Sequence, residues 1–287
     1  MLQAYFCNDE YVFINCNDQY LRNITCMKKF TLLFVSVLFL SFSATAGNLV
    51  LKGTFQGENL YVKNPFAPSG VGYCIYEVTV NGMTTTDEIN SSAFEIDLSV
   101  YGLKKGDELT VTIKYKNGCK PKVLNPEVLN AVASFEIKDL KVNGDKISWS
   151  TVNEAGPLPF IIEQYRWNKW VKVGEVKGKG TQTLNNYEAP VRLHSGENRF
   201  RLKQVDYRKN PRYSAEVTVM SSKPEVTFSP SRVDDEITFS APTMYEIYDA
   251  YGGIVFKGYG DKVKVSGLSK GKYYINYDNK MERFTKK

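Results

Sequence analysis

The sequence predicts an all-β protein: tandem Ig-like β-sandwiches followed by a smaller β-sandwich. Three observations lead there. Apolar and aromatic residues alternate with polar ones in short runs, Gly, Pro, Asn and Ser separate those runs, and no segment carries a convincing 3.6-residue period. The 287 residues hold 43% hydrophobic and 13% aromatic residues with a formal net charge of +6, a globular composition rather than a disordered one.

Taken from the N-terminus, Met27-Lys28-Lys29 is a short basic start and Phe30 to Phe42 a hydrophobic run. Ala44-Thr45-Ala46 follows as a small-x-small cleavage site before Gly47. This reads as a secretory signal peptide over residues 27–46. The run is shorter than the ~20 residues a spanning helix needs, so the mature chain is expected to carry no transmembrane span. Residues 1–26 have no basic n-region and read as an upstream extension ahead of the true start. Of five cysteines, only Cys74 and Cys119 follow the leader. Export permits a disulfide between them, and two buried free thiols is the alternative, because sequence does not show whether their backbones approach.

Residues 47–131 are the first expected module. Tyr73 to Thr86 alternates and turns at Asn81-Gly82, a pair suited to a type I′ hairpin because both residues tolerate positive φ. Ala93 to Tyr115 repeats the logic, with a Lys104 to Asp107 turn expected to join two alternating strands. Phe55 to Pro68 is aromatic and turn-rich. It reads as sandwich core and edge strand, or as a binding edge presenting Tyr61, Phe66 and, further on, Tyr73.

The second module, residues 132–222, contains Asp145-Lys146-Ile147-Ser148-Trp149-Ser150-Thr151 and later Asn198-Arg199-Phe200-Arg201-Leu202-Lys203-Gln204-Val205-Asp206. Trp149 suits the core of one sheet, and Phe200, Leu202 and Val205 suit the opposite one. Together with Phe160 to Gln164 and Tyr213-Ser214, these runs make the module similar to the fibronectin type III-like domain that often precedes an export module. The resemblance implies a scaffold. This module carries most of the basic excess, 15 Lys and Arg against 10 Asp and Glu, compared with 8 against 9 before it and 11 against 9 after it. Arg199, Arg201 and Lys203 alternate along one strand and so share a face, read either as a surface for an anionic partner or as an ordinary solvated face.

Residues 223–287 complete the chain. Tyr245-Ile247, Ile254-Val255-Phe256, Val263-Val265 and Tyr273-Ile275-Tyr277 are short alternating runs, expected as separate strands. The set Tyr248, Asp249, Gly252, Val255, Leu268, Gly271, Tyr273, Lys286 and Lys287 resembles the C-terminal sorting domain of the type IX (Por) secretion system of the Bacteroidota. Phe228-Ser229-Pro230-Ser231 stands where that family usually has an Asn-Pro turn. The whole plan resembles the PorA-type family, which implies contact with outer-membrane components of the secretion machinery or a periplasmic sensor. Anionic lipopolysaccharide is a further candidate partner, and nucleic acid is not expected.

No catalytic, metal or cofactor constellation emerges. Gly174 to Thr181, GEVKGKGT, lacks the spacing of a phosphate loop and reads as a hairpin turn. His194, the only histidine, reads as part of a surface turn. Asp234-Asp235-Glu236 does not follow the alternating spacing of calcium loops. The expected function is therefore a non-enzymatic exported protein acting as an accessory of the secretion pathway, with a surface adhesin binding glycan or protein as the alternative and a small hydrolase behind both.

Overall fold

The computed structural model describes residues Gly47–Lys287. The signal-peptide and upstream-extension readings lie outside the described residues. Strands dominate because β-branched and aromatic residues alternate with polar ones, and the helical elements among the described residues are two single 3₁₀ turns, Leu98–Tyr101 and Pro126–Leu129. No helix among the described residues is long and apolar enough to cross a membrane. Three large apolar clusters are strung along the described residues, one for each group of strands, with a small fourth around the two cysteines.

The first group is β1 (Gly47–Thr54), β2 (Leu60–Lys63), β3 (Ile75–Val80), β4 (Met83–Thr84), β5 (Ala93–Ile96), β6 (Glu108–Tyr115) and β7 (Lys122–Val123). The sheet β1-β6-β3-β4 faces the sheet β5-β2-β7 across a core that includes Leu60, Val78, Ile96, Val111 and Ile113. Asn81 and Gly82 take φ of 50° and 83° and close the β3–β4 hairpin. The Lys104–Asp107 turn forms, with Asp107 N–H donating to Lys104 O at 2.9 Å. It does not join paired strands, however. β5 and β6 belong to opposite sheets, and the chain crosses between them through the Leu98–Tyr101 turn because Leu98 is drawn fully into the core. Cys74 and Cys119 are joined by a disulfide, with Cα atoms 5.7 Å apart, beside Ala67 and Tyr115.

The middle group is β8 (Glu136–Asn143), β9 (Lys146–Val152), β10 (Phe160–Arg166), β11 (Lys169–Val176), β12 (Asn185–Pro190), β13 (Gly196–Val205), β14 (Pro211–Tyr213) and β15 (Val217–Ser221). One sheet runs β11-β10-β13-β14, with β15 also on β13, and the other runs β12-β9-β8. Trp149, 2% exposed, stacks on Tyr187 at 5.2 Å and meets Phe160 edge-on. The inward positions of β13 are Asn198, Phe200, Leu202 and Gln204. Val205 is thus not a core residue as expected: strict two-residue alternation puts it on the face of Arg199, Arg201 and Lys203.

The GEVKGKGT segment is likewise not a hairpin. It carries the chain from β11 to β12, which lie in opposite sheets. Its glycines serve close packing: a Cβ on Gly178 would stand 2.3 Å from Leu158 O, and one on Gly180 2.5 Å from the Gly156 carbonyl carbon. Gly180 N–H donates to Oε2 of Glu154 at 2.7 Å. That fully buried carboxylate also accepts from the Thr151 and Tyr187 hydroxyls.

The last group is β16 (Phe228–Ser229), β17 (Arg232–Val233), β18 (Glu236–Tyr248), β19 (Ile254–Lys264), β20 (Gly271–Tyr277) and β21 (Lys280–Lys286). The sheet order is β16-β18-β20-β21-β17, with β19 on the other side of β18. Both halves of β18, separated by a register break between Thr238 and Thr243, supply residues to one core, Ile237 and Phe239 from the first and Ile247 from the second. The runs expected as separate strands around Val255 and Val263 form one continuous β19. Gly258 within it is a strand residue rather than a turn, because the Tyr245 ring opposite leaves no room for a Cβ, which would lie 2.6 Å from Tyr245 Oη. Among the described residues β19 pairs only with β18, so its outer edge is free.

Candidate binding surfaces

The β10–β11 hairpin reverses through Trp167-Asn168, both at positive φ (54° and 58°). Asn tolerates that conformation readily, whereas a bulky Trp adopts it only when its surroundings hold it there. Here the surroundings belong to the C-terminal group of strands. Trp167 is 7% exposed, its backbone N–H donates to Asn279 Oδ1 at 3.2 Å, and its indole N–H points at Tyr277 O at 3.4 Å. Lys169, at the start of β11, donates to Glu246 Oε2 at 2.6 Å and to Tyr248 Oη at 2.8 Å. Burial alone would lower the Lys169 pKa. Its bonds to Glu246 and Tyr248 outweigh that and hold it above the usual lysine range.

Next to this contact lies a buried polar cluster. Asp278, 2% exposed, accepts from Ser195 N–H at 2.9 Å, from the Ser195 hydroxyl at 2.5 Å and from Val226 N–H at 3.2 Å. One carboxylate thereby ties the middle strands, the connecting segment and the C-terminal strands. Arg166, also 2% exposed, donates to Gln164 Oε1 at 2.7 Å, and burial lowers its guanidinium to about 10 against the opposing pull of Asp278 and Glu246. His194 is not on a surface turn. It is 4% exposed with Nδ1 2.7 Å from Ser195 O, and burial holds its imidazole below the usual range. The connecting segment and β18 cover it, which sequence spacing does not reveal. His194 Nε2 and Arg166 Nε have no partner among the described residues, and both residues line a cavity of about 150 Å³.

Above the Trp167 turn the same junction opens into a groove of about 580 Å³. Its floor is the outer face of the C-terminal sheet, where Tyr248 pairs with Tyr274, and Glu246 with Asn276, across β18 and β20. One wall is Trp167 and Lys169. The other is the turn Asp249–Gly252, carrying Tyr251 at 97% exposure. Asp249 builds that turn: its Oδ1 accepts from Tyr251 N–H at 2.9 Å and Gly253 N–H at 2.8 Å, and Gly252 takes φ of 83°.

The sequence-predicted positions fall in several places. Tyr248, Asp249 and Gly252 meet at this groove. Val255 lies half outward on β19, at 37% exposure. Leu268 packs against the core, Gly271 opens β20, and Tyr273 is buried against Phe284 at 5.5 Å. Lys286 is tucked in and Lys287 is outside, its N–H donating to Val233 O at 3.0 Å. In the first module Phe66, 65% exposed, stacks on Tyr73 at 4.6 Å, while Tyr61 stands exposed on β2 with no ring pair to them among the described residues.

Arg199, Arg201 and Lys203 do share one face of β13, but they are not bare cations. Arg201 is interleaved between Trp170 (4.2 Å) and Tyr213 (4.1 Å), and Arg199 sits over Tyr165 at 4.3 Å. Glu163 pairs with Arg201 and Lys203, and Glu216 with Arg199. The stripe is a partly neutralised ladder of cations and rings, two carboxylates against three cations. No group of His, Cys, Asp and Glu among the described residues is arranged to hold a metal ion.

No family model matches the chain, and no curated protein matches it. Among solved structures, the chain is similar to a tetra-tandem repeat in the extending region of a large adhesion protein, at 13% identity over 85% of this chain and 69% of that one, with a TM-score of 0.30. It is also similar to the FN1–FN3 domains of chicken CNTN1, at 10% identity over 84% of this chain and all of that one, TM-score 0.26. A third is the dimeric latent PorU of Porphyromonas gingivalis, at 12% identity over 84% of this chain and 31% of that one, TM-score 0.20. At scores of this size the fold rests on the strand pairing described above.

Proposed function

We propose that the chain is a non-enzymatic binding protein of the cell surface or outer membrane, exported by the type IX pathway, whose C-terminal module stays attached and works as part of the binding body. One observation carries this reading: the C-terminal strands are docked onto the middle ones through a buried Trp167 and through Asp278, which holds both Ser195 and the connecting segment at Val226. Loss of the module after cleavage near Ser222 would leave the two Ser195 donors without their acceptor and expose the indole, a cost of several kcal/mol by the usual worth of such groups. The resemblance of the C-terminal module to a sorting domain supports the export route. Its partners in this reading are outer-membrane components of the pathway or a periplasmic sensor. Anionic lipopolysaccharide has less support, because Arg201 and Lys203 already face Glu163.

The second reading, an exported adhesin that loses its C-terminal module, draws on the exposed Phe66–Tyr73 pair of the first module. Intact mass of the protein in periplasmic, outer-membrane and culture fractions of its host separates the two. A species reaching Lys287 in the envelope supports the retained module. A species ending near Ser222, released or bearing a glycolipid, overturns it and favours the adhesin.

A further inference from the structure

The groove between the Trp167 turn and the Asp249–Gly252 turn has features that sorting alone does not require. Tyr251 is 97% exposed at the tip of a turn, where burial gives no reason for an aromatic ring, and Tyr274 is 46% exposed on the floor beneath. Asn276 is the second and independent signal. It lines the groove, is 2% exposed, and its Oδ1 has no hydrogen-bond partner among the described residues. A buried acceptor in that state is costly unless something donates to it. The volume of about 580 Å³ lies within the roughly 300–1,000 Å³ typical of small-ligand sites.

We propose that this groove binds a sugar ring, one pyranose unit of a glycan, with its C–H face on the exposed tyrosines and a hydroxyl donating to Asn276 Oδ1. The lining selects this class over its competitors. An acyl chain or an apolar peptide side chain covers the rings but leaves the Asn276 acceptor unpaired. An anion finds in the lining one cation, Lys169, which is already committed to Glu246, and finds Asp249 beside it. A pyranose has both an apolar face and a ring of donors, so it satisfies the rings and the carboxamide together. The inference does not depend on the export route, and it holds for the chain that keeps its C-terminal module, which supplies the floor and one wall of the groove.

The test titrates the purified full chain with the methyl glycosides of glucose, galactose, mannose and N-acetylglucosamine, and with lactose and maltose, by saturation-transfer NMR. At least one of these sugars saturates. Tyr251→Ala, at a site too exposed to disturb folding, weakens it about tenfold, Asn276→Leu does so comparably, and Tyr61→Ala leaves it unchanged. Three results overturn the proposal: no sugar saturates, binding survives Tyr251→Ala undiminished, or binding is lost with Tyr61→Ala instead, which moves the sugar to the first module.

Discussion

Asp278 is the residue at which the union of the middle and C-terminal strands is most directly tested. Its carboxylate accepts two short bonds from Ser195, at 2.9 and 2.5 Å, and a longer one from Val226 at 3.2 Å. Hydrogen bonds to a charged group contribute about 1.5–3 kcal/mol each, so the two short ones account for about 3–6 kcal/mol. Asp278 also sits at φ of 46°, which Asp and Asn tolerate and Ala does not, adding about 1 kcal/mol for Asp278→Ala. With partial relaxation, Asp278→Ala is expected to cost about 4 kcal/mol. Asp278→Asn keeps one acceptor for the Ser195 amide and the tolerance of positive φ, and is expected to cost about 1–2 kcal/mol. Urea unfolding reads the difference as a shift of the first transition, and cleavage after Glu225 by a glutamate-specific protease reads the opening of the junction under native conditions. If the Ala variant unfolds within 1 kcal/mol of wild type, or the two variants coincide, the carboxylate does not hold the junction and the reasoning fails.

Three other outcomes follow from the same structure. Gly180→Ala places a Cβ 2.5 Å from Pro157 N at φ of 78°, where backbone blocks it, and is expected to cost about 3 kcal/mol or more; Gly252→Ala, at φ of 83° with nothing within 4 Å, costs about 1 kcal/mol. Thermal melts of the pair separate contact from conformation, and equal losses would refute the packing argument. His194 is held neutral by burial beside Arg166 and Asp278, its folded pKa lying below the 6.5 of the free side chain. The unfolded chain therefore binds the proton first, so stability is full above about pH 6.5 and declines as pH falls below it; His194→Gln flattens that part of the profile, and an unchanged slope counts against the assignment. Reduction of Cys74–Cys119, which closes a loop of sequence separation 45, is expected to destabilise the first module by about 4 kcal/mol, read as a lower urea midpoint with dithiothreitol than without.

Much of the architecture is legible in residue alternation, and its failures have a common cause. Asn81-Gly82 marks its hairpin and Trp149 its core because both signals are local. Lys104–Asp107 and GEVKGKGT read equally well as hairpins, yet both carry the chain between sheets. Turn chemistry reports that the chain reverses, not which sheet receives the next strand. The motif spacing locates the Asp249–Gly252 turn, but not the groove. Its opposite wall comes from Trp167 on another module, and that wall buries Asn276, which alternation alone would leave facing water. The available signal was Trp-Asn in a two-residue turn, an expensive place for a large ring unless it has somewhere to dock.

The free edge of β19 governs how the protein behaves in crowded solution. An eleven-residue strand paired on one side presents unpaired backbone donors and acceptors to any other extended chain, including a second copy of itself. Ile254 and Tyr259 are exposed along it, and Lys257, Lys262 and Lys264 are spaced between and beyond them. Two such edges approaching each other bring Lys257 and Lys264 into opposition, Lys262 being paired with Glu236 at 3.2 Å, a barrier that weakens as salt shortens the reach of charge from about 10 Å at 0.1 M to about 3 Å at 1 M. Concentrated in high salt, the folded protein will therefore associate strand to strand along this edge, well before any of its cores opens.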